Sequence, residues 1–118
     1  MGHVVCFVTA SSEREARAIG DAVVHERLAA CANVVGPISS TYWWRGKVES
    51  AEEVLLVLKT RADLVPALTA LVRSLHSYEV PEVIALRITG GNAAYLRWID
   101  ESVKRPRARP RRRRRPSA

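Results

Sequence analysis

The densest set of groups able to do chemistry is His76, Tyr78, Glu79 and Glu82, gathered around Pro81. One imidazole and two carboxylates this close can supply two or three ligands to a borderline divalent ion such as Cu(II) or Zn(II), or hold a small polar ligand. The same residues also have a structural reading. A histidine at a helix C-terminus interacts favourably with the helix dipole, and the carboxylates are then solvated or bridged to arginines. Spacing alone favours the structural reading, because metal ligands must converge in space.

The other candidates are more readily explained by packing. Cys6 and Cys31 lie in the apolar runs Val4-Val5-Cys6-Phe7-Val8 and Leu28-Ala29-Ala30-Cys31-Ala32, which suit buried free thiols rather than a disulfide or soft metal ligands. Tyr42, Trp43 and Trp44 could stack bases, but Arg45 and Lys47 beside them are opposed by Glu49, Glu52 and Glu53, so the aromatics read as an interface anchor. Gly90-Gly91 before Asn92 is turn chemistry. There is no phosphate-cradling glycine loop, nucleophile elbow, Cys-x-x-Cys or His-x-x-x-His. With no nucleophile and base brought together, no enzymatic reaction is expected.

Five elements or more must position these groups. His3 to Thr9, apolar and β-branched, predicts a central strand. Ser12 and Glu15 form a capping-box pattern, and Ala16, Ile19, Val23, Val24 and Leu28 carry a helical stripe from about Ser12 to Leu28. Two extended runs between Asn33 and Leu58 are joined by Trp44-Arg45-Gly46-Lys47, where Gly46 supplies the positive φ of a hairpin turn. Asp63 is placed to cap a helix with stripe Leu64, Leu68, Leu71, Val72 and Leu75 and with Pro66 in its first turn. Val83 to Ile88 is a fourth strand, and Asn92 caps a last helix marked by Leu96, Ile99 and Val103.

The order β-α-β-β-α-β plus a C-terminal helix predicts an α+β, ferredoxin-like split βαβ fold with both main helices on one sheet face. Val4 to Val8, Val54 to Leu58 and Val83 to Leu86 are apolar at successive positions, so the second face is greasy as well. The chain has little of its own to cover that face, which points to a symmetric homo-oligomer with the Ile38 to Trp44 strand as a reaching arm.

The 118 residues carry a formal charge of +7, but nine cations fall in the last fifteen residues, Lys104 to Ala118, with no acid among them. Residues 1–103 keep ten Lys+Arg against all 12 Asp+Glu and are mildly acidic, so a basic nucleic-acid face on the fold is excluded. Residues 104–118 read as a disordered Pro/Arg tail, in which Arg111, Arg112, Arg113, Arg114 and Arg115 could hold nucleic acid, polyphosphate or anionic lipid without selectivity. Neither a signal peptide nor a transmembrane segment is evident, and a cytoplasmic protein is the simplest expectation.

Taken together, Val8-Thr9-Ala10, Glu26 to Asn33, Ser40 to Lys47, Leu58 to Arg61, His76 to Leu86 and Gly91 to Ile99 resemble the CutA divalent-cation tolerance proteins, in order and at family spacing. The resemblance implies a PII-like homotrimer with long second and third strands crossing subunit boundaries, a link to copper and other divalent cations, and no established reaction. It implies trimer contacts from the hairpin of Trp43, Arg45 and Gly46. It also implies an intersubunit cleft near Tyr42, Trp44, Lys59 and Tyr78, with His76, Glu79 and Glu82 as metal candidates. No cofactor is obligatory, and Cu(II) or another divalent cation is the one to expect. Copper ligands described for bacterial members fall at Val8, Leu75 and His76 here, so two of those three are not ligands in this sequence.

Overall fold

The computed structural model describes residues 2–104. The chain runs β1 (His3–Ala10), α1 (Glu13–His25), β2 (Cys31–Trp44), β3 (Lys47–Arg61), a 3₁₀ turn (Ala62–Leu64), α2 (Val65–Leu75), β4 (Val83–Arg87) and α3 (Ala93–Ser102). One sheet of order β2-β3-β1-β4, with every neighbouring pair antiparallel, realises the element order expected from hydropathy.

The core follows from strand alternation. Val4, Cys6, Val8 and Ala10 of β1 are buried while the residues between them are not, and Val54, Leu56, Leu58 and Thr60 do the same on β3. The register Cys6↔Leu58 and Val8↔Leu56 sets the two rows side by side. Ile19 and Val23 of α1 and Leu68 and Val72 of α2 close over this face, so both helices share one side of the sheet. Gly20 lets α1 come close: a Cβ there would lie 3.2 Å from Ala32 Cβ and 3.3 Å from Leu56 Cδ1. Thr60, the buried polar residue of the row, donates its hydroxyl to the Leu28 carbonyl at 2.6 Å.

The opposite face carries Val5, Phe7, Leu55, Val57, Ile84 and Leu86, aligned by the pairs Phe7↔Val57, Phe7↔Ile84 and Val5↔Leu86. The chain covers more of it than expected. Asp100 of α3 accepts from His3 Nε2 at 2.9 Å and lies 3.9 Å from Arg61 Nε, which holds the helix over the His3 end. Elsewhere the face is open, with Val35, Ile84 and Leu86 at 47%, 50% and 46% exposure.

Four local expectations change. The first helix stops at His25, short of Leu28, because Arg27 turns left-handed at φ 56° and the Arg27 and Leu28 amides bond back to Val24 and Val23 carbonyls at 3.0 and 2.9 Å. That is a Schellman closure built without glycine. Asp63 does not cap α2. It sits in the 3₁₀ turn and accepts from Arg61 Nε at 3.1 Å, while Leu64 occupies the N-cap with no side-chain bond. The last strand ends at Arg87, and the Ile88 amide instead donates to the His3 carbonyl at 2.9 Å. Both cysteines are free, but only Cys6 is fully buried, its thiol pushed up to about 11 by that burial; Cys31 is half-buried at the start of β2.

The turn between β2 and β3 is Arg45-Gly46, with φ 50° and 79°, the sign pattern of a type I′ hairpin. The β2–β3 register runs from Trp44↔Lys47 to Ile38↔Glu53 and then breaks at Gly36-Pro37 before resuming at Val35↔Leu55. Because β1 pairs with β3 only from Val54 onward, the hairpin outside that point is an arm with no further strand beside it.

Leu58→Ala, at a site with no solvent exposure, is expected to lower the free energy of unfolding by about 2–5 kcal/mol in urea denaturation. Arg14→Ala, on the exposed side of α1, should change it by less than about 0.5 kcal/mol.

Candidate functional site

His76 is the C-cap of α2, and its side chain is completely buried. Its Nε2 donates to the Thr9 carbonyl at 2.7 Å, and its Nδ1 accepts the Tyr78 amide at 3.0 Å. Both ring nitrogens are therefore used by the fold, and the ring so bonded is neutral. The Glu15 oxygen 3.8 Å from Nδ1 is consequently a neighbour and not an ion-pair partner.

Glu15 fastens the same link from the other side. Ser12 Oγ accepts the Glu15 amide at 3.1 Å, the forward half of the expected capping box. The carboxylate does not return to Ser12. Its Oε1 accepts from the Ser11 amide and hydroxyl, both at 3.0 Å, and its Oε2 accepts from the Ser77 amide at 3.0 Å. Burial works to raise the Glu15 carboxyl, but these Ser77 and Ser11 bonds outweigh it and hold the group down at about 2.

The clamp aims Tyr78 into a cleft of about 680 Å³ between the β2 arm and residues 78–82. Its walls are Ser39, Ser40, Thr41, Tyr42 and Trp44 on one side and Tyr78, Glu79, Val80 and Glu82 on the other, with Thr9 and Glu53 between. Glu53 is only 7% exposed. Its Oε2 accepts from the Tyr78 hydroxyl at 2.9 Å, while Oε1 has no partner among the described residues. Burial and that bond raise the Tyr78 phenol well above its ordinary range. Burial, and after it the charge of Glu53, raise the Glu82 carboxyl. This is a pocket short of positive charge. At its rim Arg45 Nη2 donates to Glu79 Oε2 at 3.1 Å and its guanidinium lies 5.4 Å from the Trp44 ring centroid.

The structure thus brings Tyr42, Trp44, Tyr78, Glu79 and Glu82 together, and it leaves His76 behind them as a support. The metal candidates His76, Glu79 and Glu82 do not converge: among the described residues no group of three or more His, Cys, Asp or Glu is placed to hold a metal ion. Lys59 does not line the cleft. It donates to Asn33 and Cys31 near the start of β2, where burial and then Cys31 raise the Tyr95 phenol. Trp43 stands at the tip of the arm, 74% exposed, beside Arg45 and Gly46. Arg111 to Arg115 lie outside the described residues. Sequence reasoning missed Glu53 as a site residue and the second task of Glu15. Neither was signalled in the sequence: the burial of Glu53 is seen only in the fold, and Ser11-Ser12 before Glu15 suggests no more than a cap.

Fold and cleft define the class, a four-stranded antiparallel α+β subunit whose cavity lies between a strand arm and the α2–β4 link. The chain belongs to the CutA1 divalent ion tolerance protein family, which it matches over residues 4–102. It is 54% identical over 93 residues to Protein CutA of Homo sapiens, covering 79% of this chain and 52% of that one. It therefore spans about half the length of the human relative, and of the mouse one. The divalent-cation tolerance protein CutA of Thermus thermophilus is 46% identical over 99 residues, covering 84% of this chain and 96% of that one. The crystal structure of CutA1 from Oryza sativa superposes with a TM-score of 0.86 at 43% identity, covering 90% of this chain and 97% of that one.

Because the folded Glu15 carboxyl sits at about 2, below the ordinary 4.5, its stabilisation is complete above pH 4.5 and is lost as pH falls towards 2. Denaturation midpoints measured across that window should fall for the native chain and fall less steeply for Glu15→Gln.

Proposed function

We propose that this chain is a non-enzymatic divalent-cation tolerance protein that works as a homotrimer and binds a small cation or polar ligand in the cleft. The observation that carries the reading is the Glu53 carboxylate on the cleft floor, with one oxygen bonded to Tyr78 and the other open to the cavity, beside the Glu82 carboxylate on the same wall. A cation beside Glu53 offsets the charge that, after burial, raises the Glu82 carboxyl.

Three subunits give the open sheet face and the exposed arm a use. Val35, Ile84 and Leu86 supply apolar surface, and Trp43 is an aromatic anchor on a hairpin that reaches past its own sheet. The cytoplasm is the proposed compartment; among the described residues no helix is long and apolar enough to cross a membrane.

Copper does not fit a single subunit. Val8 and Leu75 offer no ligand atoms, and His76 has both nitrogens committed. The cleft itself offers carboxylate, phenol and hydroxyl oxygens, the donor set of a hard cation that keeps part of its water. Any copper centre is proposed to lie between subunits.

Light scattering should return three times the chain mass, and Ile84→Glu should drive the protein towards monomers. A monomeric native chain at micromolar concentration would contradict the trimer. In calorimetric titrations with Mg(II) and Zn(II), binding should weaken at least tenfold in a Glu53→Gln, Glu82→Gln double variant. Tight Cu(II) binding that survives the double variant and disappears in His76→Ala would contradict the assignment of the cleft.

A further inference from the structure

We propose that the cleft is a receptor for a small organic cation, a primary ammonium or guanidinium on a short apolar stem, with Glu53 and Glu82 taking the charge and Tyr42, Trp44 and Tyr78 flanking the stem. The inference rests on the cleft reading above and names the ligand class.

Three observations carry it. The first is size: about 680 Å³ lies within the roughly 300–1,000 Å³ of small-molecule sites, far larger than a bare ion needs. The second is the floor. Glu53 is more than nine-tenths buried and lines the cleft, yet among the described residues only its Oε2 is bonded, so Oε1 is left for a donor from within. An ammonium or guanidinium satisfies that lone oxygen and reaches Glu82 without needing a third protein ligand. A metal ion there would have to keep much of its water, because among the described residues no group of three or more His, Cys, Asp or Glu converges on it.

The third is the wall. Tyr42, Trp44 and Tyr78 line the same cavity as the carboxylates, and aromatic faces beside carboxylates favour organic cations over hydrated metal ions. The chain already makes such a contact at the rim, where the Arg45 guanidinium rests between the Trp44 ring and Glu79. In the single chain the side chains of Arg45 and Glu79 are 74% and 71% exposed, so this pair is weak. Burial, and after it the charge of Glu53, raise the Glu82 carboxyl, in keeping with a site that takes a cation.

The full-length protein titrated with n-butylamine, agmatine and sodium butyrate tests this by calorimetry and by NMR of the Tyr and Trp rings. Saturable binding of the two cations, shifts at Tyr42, Trp44 and Tyr78, no response to butyrate, and a loss of at least tenfold in Glu82→Gln are expected. Glu53→Gln can still accept from Tyr78, so it is a second variant that keeps the clamp; it should weaken the cations by a similar factor with an unchanged circular dichroism spectrum. Equal binding of butyrate, or cation binding untouched by both variants, would overturn the proposal. Binding of Mg(II) or Zn(II) but of neither amine would overturn it and leave the cleft reading standing. No response to any metal or amine would overturn both.

Discussion

The structure depends most on one buried imidazole. His76 ends α2, reaches across to the last turn of β1 through the Thr9 carbonyl, and accepts the amide of Tyr78 two residues on. Three parts of the chain are thereby set by a side chain with no exposure to solvent. A buried ring with both nitrogens bonded costs little to keep, whereas removing it strands a carbonyl and an amide at once. Glu15 doubles the constraint from α1, tying Ser11 and Ser77 together with one carboxylate. The chain beyond Ser77 is then not free to wander. Tyr78 points at Glu53, and the cleft has a fixed floor.

That arrangement separates support from recognition. The groups that hold the link, His76 and Glu15, spend their hydrogen-bonding capacity on backbone and serine partners. The groups that face the cavity, Glu53 and Glu82, keep acceptor capacity open to it. Sites built so are commonly less stable locally than they could be, and a bound cation supplies the missing term.

Much of the fold was legible because its signals are periodic. The alternation in Val4 to Ala10 and Val54 to Thr60, the helical stripe through Ile19 and Val23, and Gly46 in the hairpin turn each state a geometry directly. Where the reading failed, a local signal was overridden by something outside the window. Arg27 adopts a left-handed conformation that its residue type does not announce, with its carbonyl taken by the Lys104 amide at 2.8 Å and its guanidinium by the Ser102 carbonyl at 3.0 Å. Asp63 had the right spacing for a cap but a nearer guanidinium in Arg61. The cleft was half legible: the aromatic arm and the His76 to Glu82 link both stood out. Glu53 did not, since its place beside Tyr78 depends on a contact made across 25 residues of sequence, with the rest of β3 and all of α2 between them.

His76 is thus a structural anchor behind the cleft, and the proposed cation is assigned to the cleft's carboxylates and not to this imidazole. Nitrogen-15 NMR of the His76 ring during a Zn(II) or Cu(I) titration tests that division most directly. The expected ring is protonated on Nε2 and unprotonated on Nδ1, with the Tyr78 amide bonded to it, and is unchanged as metal is added. A shift of either ring nitrogen to a metal-bound position, with loss of the Tyr78 amide's protection from exchange, would contradict it.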